Sequence, residues 1–232
     1  MPETAVIAGL GPGFCERLAE RLATDGYGVA LLGRSPDYLE EFAAGLRSNG
    51  HETLAVPTDV TEPEQVRAAY DEIRDELGPI EVVAHTASTV TAPSGEELDP
   101  ARFEQMWRLY AFGGLVLFRE ALSDLRDLGG TALYFGAAEE MGDFAFQSGK
   151  AATRGLARTL FDTYGPQGIH VAHVVIAGPI RNPDVYEGVD DVDEAAYMDP
   201  DRVADCCRYL IDQDDSALTF EVDLRPHVQG YQ

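Results

Sequence analysis

The sequence predicts an α/β domain built on a doubly wound, mainly parallel sheet with helices on both faces, and three observations carry that prediction. Short apolar runs alternate with segments of helical period along the chain. The runs are continuous rather than alternating in and out, the pattern of strands buried on both faces. A glycine-rich turn follows the first run and opens a helix, which places a ligand crevice at the carboxyl ends of the strands.

The elements follow in order. Ala5 to Ala8 is the first strand, and after its turn Phe14, Leu18 and Leu22 share one helix face. Gly28 to Leu32 is the second strand, followed by the stripe Leu39, Phe42 and Leu46; Thr53 to Val56 is the third, followed by Val66, Ile73 and Leu77. Ile80 to Ala84 is the fourth. Asp99 to Leu128 reads as one long helix, interrupted or bent near Gly113 and Gly114. Thr131 to Phe135 is the fifth strand, and Phe146 to Tyr164 a helix ended by Gly165-Pro166. Val171 to Ile176 is the sixth. Residues 178–197 are rich in Pro, Gly and Asp, lack any period, and read as a lid. Asp199-Pro200 opens a last helix through Val203, Cys207 and Leu210, and Ala217 to Leu224 closes the chain's secondary structure as a strand. With no repeat and no linker, residues 1–232 are expected to form a single domain.

Charge narrows the partners. The chain has 41 acidic and 17 basic residues, a formal charge of −24. Such a surface repels phosphate backbones and anionic lipid, so nucleic acid and membrane are excluded as partners. The acid is spread over helix faces rather than gathered in a tail, which predicts a halophilic protein adapted to high ionic strength. Cys15, Cys206 and Cys207 are odd in number and include an adjacent pair, which points to neither a disulfide framework nor a metal site. No basic leader or apolar stretch of about 18 residues occurs, so a cytoplasmic location is expected.

The residues that carry chemistry begin with Gly9-Leu10-Gly11-Pro12-Gly13-Phe14-Cys15. Glycines there permit a tight turn and close ligand approach, while the helix N-terminus favours a pyrophosphate. After the second strand stands Arg34, a cation where an acid would accept from a ribose hydroxyl. Lys150 is the one lysine among the 17 basic residues, four positions beyond Phe146 and so on the same helix face.

On these motifs the chain resembles the short-chain dehydrogenase/reductase family over nearly its whole length. The family's TGxxxGxG pattern falls on Ala8 to Cys15, with Gly9 and Gly13 matching and Cys15 in place of the last glycine. Its adenine-side pair is matched by Asp59-Val60, its Asn-Asn-Ala-Gly element by His85-Thr86-Ala87-Ser88 at Ala87 alone, and its Pro-Gly element by Ala177-Gly178-Pro179-Ile180. The ending Thr219 to Pro226 is similar to a subgroup that also carries phenylalanine in place of the motif tyrosine. The resemblance implies a seven-stranded Rossmann-type fold, a homodimer or homotetramer, and a small-molecule substrate. It also implies a dinucleotide held by Gly9, Gly11, Gly13, Phe14, Asp59, Val60, Ala87, Lys150, Gly178 and Ile180. Arg34 favours the 2′-phosphate of NADP(H) over NAD(H).

The catalytic set departs from the family. Its YxxxK motif reads Phe146 to Lys150, its serine position falls at Ala137 within Gly136-Ala137-Ala138, and its asparagine aligns with Tyr110. Two rescues are conceivable on the residues alone: Tyr110 activated by Lys150, or His85 as acid and base near neutral pH. Cys15 is either a reactive thiol at a helix N-terminus or a space-filling replacement for glycine. Glu139, Glu140 and Asp143 read as a solvated face beside a shortened loop, and Tyr186 and Tyr197 of the lid as possible ligand contacts. Two functions stay open: an NADP-linked oxidoreductase of a carbonyl or alcohol group with an atypical acid, or an inactive dinucleotide-binding or scaffold protein that keeps Lys150 as a ribose grip.

Overall fold

A computed structural model describes residues 3–89, 98–138, 142–182 and 194–228. The seven strands are β1 (Thr4–Ala8), β2 (Gly28–Gly33), β3 (Thr53–Pro57), β4 (Ile80–His85), β5 (Thr131–Ala137), β6 (His170–Ile176) and β7 (Glu221–Leu224). They form one sheet in the order β3-β2-β1-β4-β5-β6-β7, and every pairing is parallel. The order reverses direction between β1 and β4, and that reversal opens a crevice at the carboxyl ends of the strands.

Helices cover both faces, as the periodicity predicts. On one side α1 (Phe14–Thr24), α2 (Pro36–Ser48) and α7 (Pro200–Ile211) bury Leu18, Leu22, Leu39, Leu46, Cys207 and Leu210 against the sheet. On the other, α3 (Pro63–Glu76), α5 (Gly113–Leu128) and α6 (Phe144–Tyr164) bury Val66, Ile73, Leu117, Phe118, Ala157 and Leu160. The short α4 (Pro100–Trp107) precedes α5. The two sets make separate cores because the sheet lies between them.

Several boundaries differ from the sequence reading. The interruption expected near Gly113 and Gly114 is there, as a π-helical turn at Arg108–Phe112 directly before them, after which the helix continues as α5. The glycines serve close approach. A Cβ on Gly114 would lie 2.8 Å from Tyr134 Cε1 and 3.0 Å from His85 Cδ2. The sixth helix starts at Phe144 rather than Phe146, because Asp143 caps it by accepting from the Phe146 amide at 2.8 Å. At its end the backbone runs on through a 3-10 turn, Gly165–Gln167. The final strand is shorter than expected, Glu221–Leu224.

Residues 183–193 of the lid, including Tyr186, lie outside the described residues. The flanking parts are tied together, with the Met198 amide donating to the Pro179 carbonyl and the Arg181 amide to the Met198 carbonyl, both at 2.9 Å. Tyr197 is half-buried. Among apolar residues of the long helices, Met106, Leu117 and Phe118 are core, while Phe103, Trp107 and Leu115 remain exposed. Among the described residues no helix is long and apolar enough to cross a membrane, and no group of three or more His, Cys, Asp or Glu could hold a metal ion.

Candidate dinucleotide and active site

The crevice is a cleft of about 560 Å³ running over the ends of β2, β1 and β4. Gly9, Gly11 and Phe14 line its middle, Arg34 and Asp59 one end, and Ser88 and Leu109 the other. The turn is built for close approach. Gly9 has φ 112°, and a Cβ there would lie 2.3 Å from the backbone N and Cα of Ala87. The Ala87 amide reaches across to the Ala8 carbonyl at 2.8 Å, locking the β4 loop onto the β1 turn. Thr86, which sequence reasoning did not single out, donates to the Gly9 carbonyl at 3.0 Å and completes that lock.

At the start of α1 the Gly13 amide donates to Glu16 Oε2 at 3.1 Å, and Tyr38 donates to Glu16 Oε1 at 2.7 Å. An internal carboxylate thus takes one amide of the helix N-terminus. At the far end, Asp59 accepts from the Thr61 amide at 2.9 Å and the Thr61 hydroxyl at 2.8 Å, which sets the turn into α3. Val60 is buried under Gly113. Arg34 is exposed at the cleft and has no carboxylate, carbonyl or ring partner among the described residues. Gly178, at φ 155°, and Ile180, bridged to Met198, follow β6.

Cys15 is buried, and its thiol is pushed up to about 11 by burial, with hydrogen bonds from Thr86 and the Gly11 backbone opposing the rise. The space-filling alternative describes it. A thiolate nucleophile it is not at neutral pH.

Phe146, Tyr110 and Ala137, the residues expected at the catalytic positions, come together in one apolar cluster. Phe146 is 6% exposed and packs with Met106, Tyr110 and Ala145, with Ala137 against them. The rings of Tyr110 and Phe146 meet edge to face at 5.6 Å between centroids. Gly149 makes room for this packing: a Cβ there would lie 2.7 Å from Tyr110 Cδ2.

Lys150 lies beneath this cluster, 8% exposed. Its Nζ donates to the Phe135 carbonyl at 3.0 Å and sits 4.1 Å from the centroid of the Tyr110 ring and 5.6 Å from that of Phe146. Burial lowers its pKa to about 7, with a small opposing contribution from Cys15. The lysine does not line the cleft. Nor does Lys150 bond to the Tyr110 hydroxyl. That oxygen lies 3.1 Å from Ser88 Oγ and accepts from the Thr89 amide at 3.4 Å, and burial raises the phenol's pKa despite these contacts. Tyr110 is thus held protonated rather than activated.

His85 is engaged and neutral. Its Nε2 lies 3.0 Å from the Tyr110 carbonyl, in the π-helical turn, and its other nitrogen is buried without a partner. Burial, followed by the charge of Lys150, lowers its pKa to about 4. A base with a lowered folded pKa stays unprotonated in the fold while the unfolded chain takes up a proton, so its contribution is complete above about 6.5 and is lost toward pH 4. Roughly 3 kcal/mol of stability should disappear over that window. A His85→Asn variant, followed by urea denaturation at pH 7 and pH 4.5, should lose much of the acid sensitivity of the parent.

Asp143 corrects the sequence reading of a solvated acidic face. It caps α6 and pairs with Arg102, whose Nε lies 2.5 Å from Oδ2. Glu139 and Glu140 lie outside the described residues.

A parallel sheet with a glycine turn against Ala87 and a cleft at the crossover point defines a doubly wound, Rossmann-type α/β protein. Comparison with known proteins gives the family. The short chain dehydrogenase family model matches residues 3–186, and the chain belongs to the short-chain dehydrogenase/reductase family. It is 28% identical over 174 residues to cis-4-hydroxycyclohexanecarboxylate dehydrogenase of Sinomonas cyclohexanicum, covering 72% of this chain and 69% of that one. An uncharacterized oxidoreductase of Staphylococcus saprophyticus is 24% identical over 230 residues, covering 97% of each. Among solved structures, an alcohol dehydrogenase from the archaeon Thermococcus sibiricus complexed with 5-hydroxy-NADP superposes with a TM-score of 0.86 at 27% identity, covering 100% of both chains. A Pseudomonas aeruginosa short chain oxidoreductase containing an atypical catalytic center shares the fold, with a TM-score of 0.88 at 18% identity, over 99% of this chain and 98% of that one.

Proposed function

We propose that the chain is an NADP(H)-linked oxidoreductase acting on the carbonyl or alcohol group of a small molecule. Arg34 is the observation that carries the cofactor reading. The chain holds 41 acidic residues, and its other arginines engage carboxylates, carbonyls, amides or rings, as Arg74, Arg108 and Arg126 do. Arg34 alone, among the described residues, is left without such a partner, and it faces the cleft. A guanidinium exposed there offers a fork to the 2′-phosphate of NADP(H), and no carboxylate stands at that position to accept from the ribose hydroxyl of NAD(H). The residues fit the dinucleotide: Gly11 and Gly13, where a Cβ would meet nothing within 4 Å, leave the turn open to its pyrophosphate, and Asp59 and Val60 line the far end for the adenine. When bound, its nicotinamide would supply or accept the hydride.

Charge-assisted contact to a phosphate contributes about 1.5–3 kcal/mol. Arg34→Ala should therefore weaken NADPH roughly 10- to 100-fold in a fluorescence titration while leaving NADH within about twofold. Equal losses for both would refute the 2′-phosphate role, and no binding of either by the unaltered protein would refute dinucleotide binding altogether.

A second reading, a dinucleotide-binding protein without turnover, is favoured by the buried Phe146, Tyr110 and Ala137 and by Lys150 turned toward Phe135. NADPH binding with no hydride transfer across a carbonyl panel would establish it. Self-association as a homodimer or homotetramer is supported by the exposed Phe103, Trp107 and Leu115.

A further inference from the structure

We propose that Ser88 is the proton donor of this site, resupplied by Tyr110 as its positioning residue, in the reduction of carbonyls whose reduced oxygen is weakly basic: quinones or 1,2-dicarbonyls. The proposal rests on the dinucleotide reading above and names its missing acid.

It starts from elimination. With Phe146 and Ala137 offering no hydroxyl, the acid must come from elsewhere. Lys150 is committed to the Phe135 carbonyl, His85 is buried and neutral, and the Cys15 thiol is held protonated in the core. Of the cleft's other hydroxyls, Ser35 stands at the Arg34 end and that of Thr89 has no partner among the described residues to resupply it, while Thr58 donates to the Val56 carbonyl, Thr61 to Asp59, and Thr86 to the Ala8 and Gly9 carbonyls. The protons of these last three are spent on acceptors that have none to return. Ser88 differs: it is exposed in the cleft, and its Oγ lies 3.1 Å from the hydroxyl of Tyr110, a group able to replace a proton it gives away.

The geometry also sets a direction. The Thr89 amide donates to the Tyr110 oxygen, so the phenol's own proton is free to point at Ser88 Oγ. Accepting there leaves the Ser88 proton aimed outward, into the cleft. Lys150 lies over the Tyr110 ring face, where in its protonated form it favours any negative charge that develops on the phenol. Burial raises the Tyr110 pKa, so the phenol carries its proton at neutral pH and has one to pass to Ser88.

In that step the carbonyl carbon accepts the hydride that a reduced dinucleotide supplies, and the C=O π pair moves onto oxygen. The oxygen takes the Ser88 proton, Ser88 takes the Tyr110 proton, and the phenolate is reprotonated from water. Ser88 is a weak acid, which is why the substrate class is restricted. The alkoxide formed beside a second carbonyl is made less basic by that carbonyl's electron withdrawal and demands less of its donor than an isolated alkoxide does.

The test uses the full chain with NADPH and 9,10-phenanthrenequinone as the probe. Ser88→Ala and Tyr110→Phe should each lower kcat roughly 10²-fold, in the range of lost acid catalysis, with KM and NADPH affinity within about threefold. The double variant should be no slower than either single one, because the two act as one unit. Ser88→Thr should restore much of the rate. In the protein without dinucleotide, the Tyr110 Cζ resonance in a ¹³C-tyrosine NMR spectrum should move on Ser88→Ala. An unmoved resonance, undiminished kcat in the single variants, or NADPH bound without turnover would each overturn the relay and leave dinucleotide binding intact. Absence of NADPH binding would overturn the dinucleotide reading itself, and the relay with it.

Discussion

Replacing Lys150 by methionine is expected to stabilise the fold by about 1–4 kcal/mol at pH 7, the range found when buried ion pairs give way to apolar side chains of similar size. The free amine titrates near 10.5 and the buried one near 7, a displacement equivalent to roughly 5 kcal/mol. The bond to Phe135 and the ring face of Tyr110 offset only part of the lost hydration. An amine whose folded pKa is lowered opposes folding wherever the unfolded chain holds the proton. The penalty therefore grows as pH falls from about 10.5 to about 7 and is constant below. Urea denaturation should show a gap between variant and parent that is widest at pH 7 and closes toward pH 10. A methionine variant less stable than the parent at pH 7 would mean that the ammonium is better solvated than its burial implies. If the gain is found, the lysine is retained against a stability cost, which is the behaviour of a functional group.

The second large effect is expected at Gly9. Gly9→Ala must place a methyl group 2.3 Å from two backbone atoms of Ala87, on a backbone at φ 112° that L-residues rarely adopt. Neither neighbour can yield, since the Ala87 amide is bonded to the Ala8 carbonyl. A destabilisation of about 4 kcal/mol or more is expected, together with loss of NADPH affinity in any fraction that folds. Gly11→Ala is the internal control, because a Cβ there meets nothing within 4 Å; its melting temperature should stay close to that of the parent. Equal tolerance at both positions would show that the β1 turn can shift away from β4.

Both results bear on how much of the site was legible in the sequence. The glycine turn, Arg34, Asp59-Val60 and the absence of hydroxyls at Phe146 and Ala137 are readable from residue type and order, since they depend on what a side chain lacks or on backbone contacts local to one strand end. The roles of Gly149 and Ser88 were not readable. Gly149 is small because the Tyr110 ring lies against it, 39 positions away in the chain, and Ser88 matters through the same phenol. The nearest available signal for Gly149 was its place between Phe146 and Lys150, on a helix whose one other glycine is Gly155.

By itself the sequence determined the order of strands and helices, the two-sided burial of the sheet, and the family, because periodicity and turn glycines act over a few residues and leave their pattern in the chain. What only the tertiary structure decided is the direction of the polar groups. Lys150 was expected at the cleft and lies beneath it, because Tyr110 in the π-helical turn and the apolar Phe146 ring cover it and the Phe135 carbonyl is the acceptor within reach. Asp143 was expected in solvent and instead caps α6 while pairing with Arg102. Burial and partner choice arise where distant segments meet, and a buried ammonium or carboxylate follows the nearest group that satisfies it.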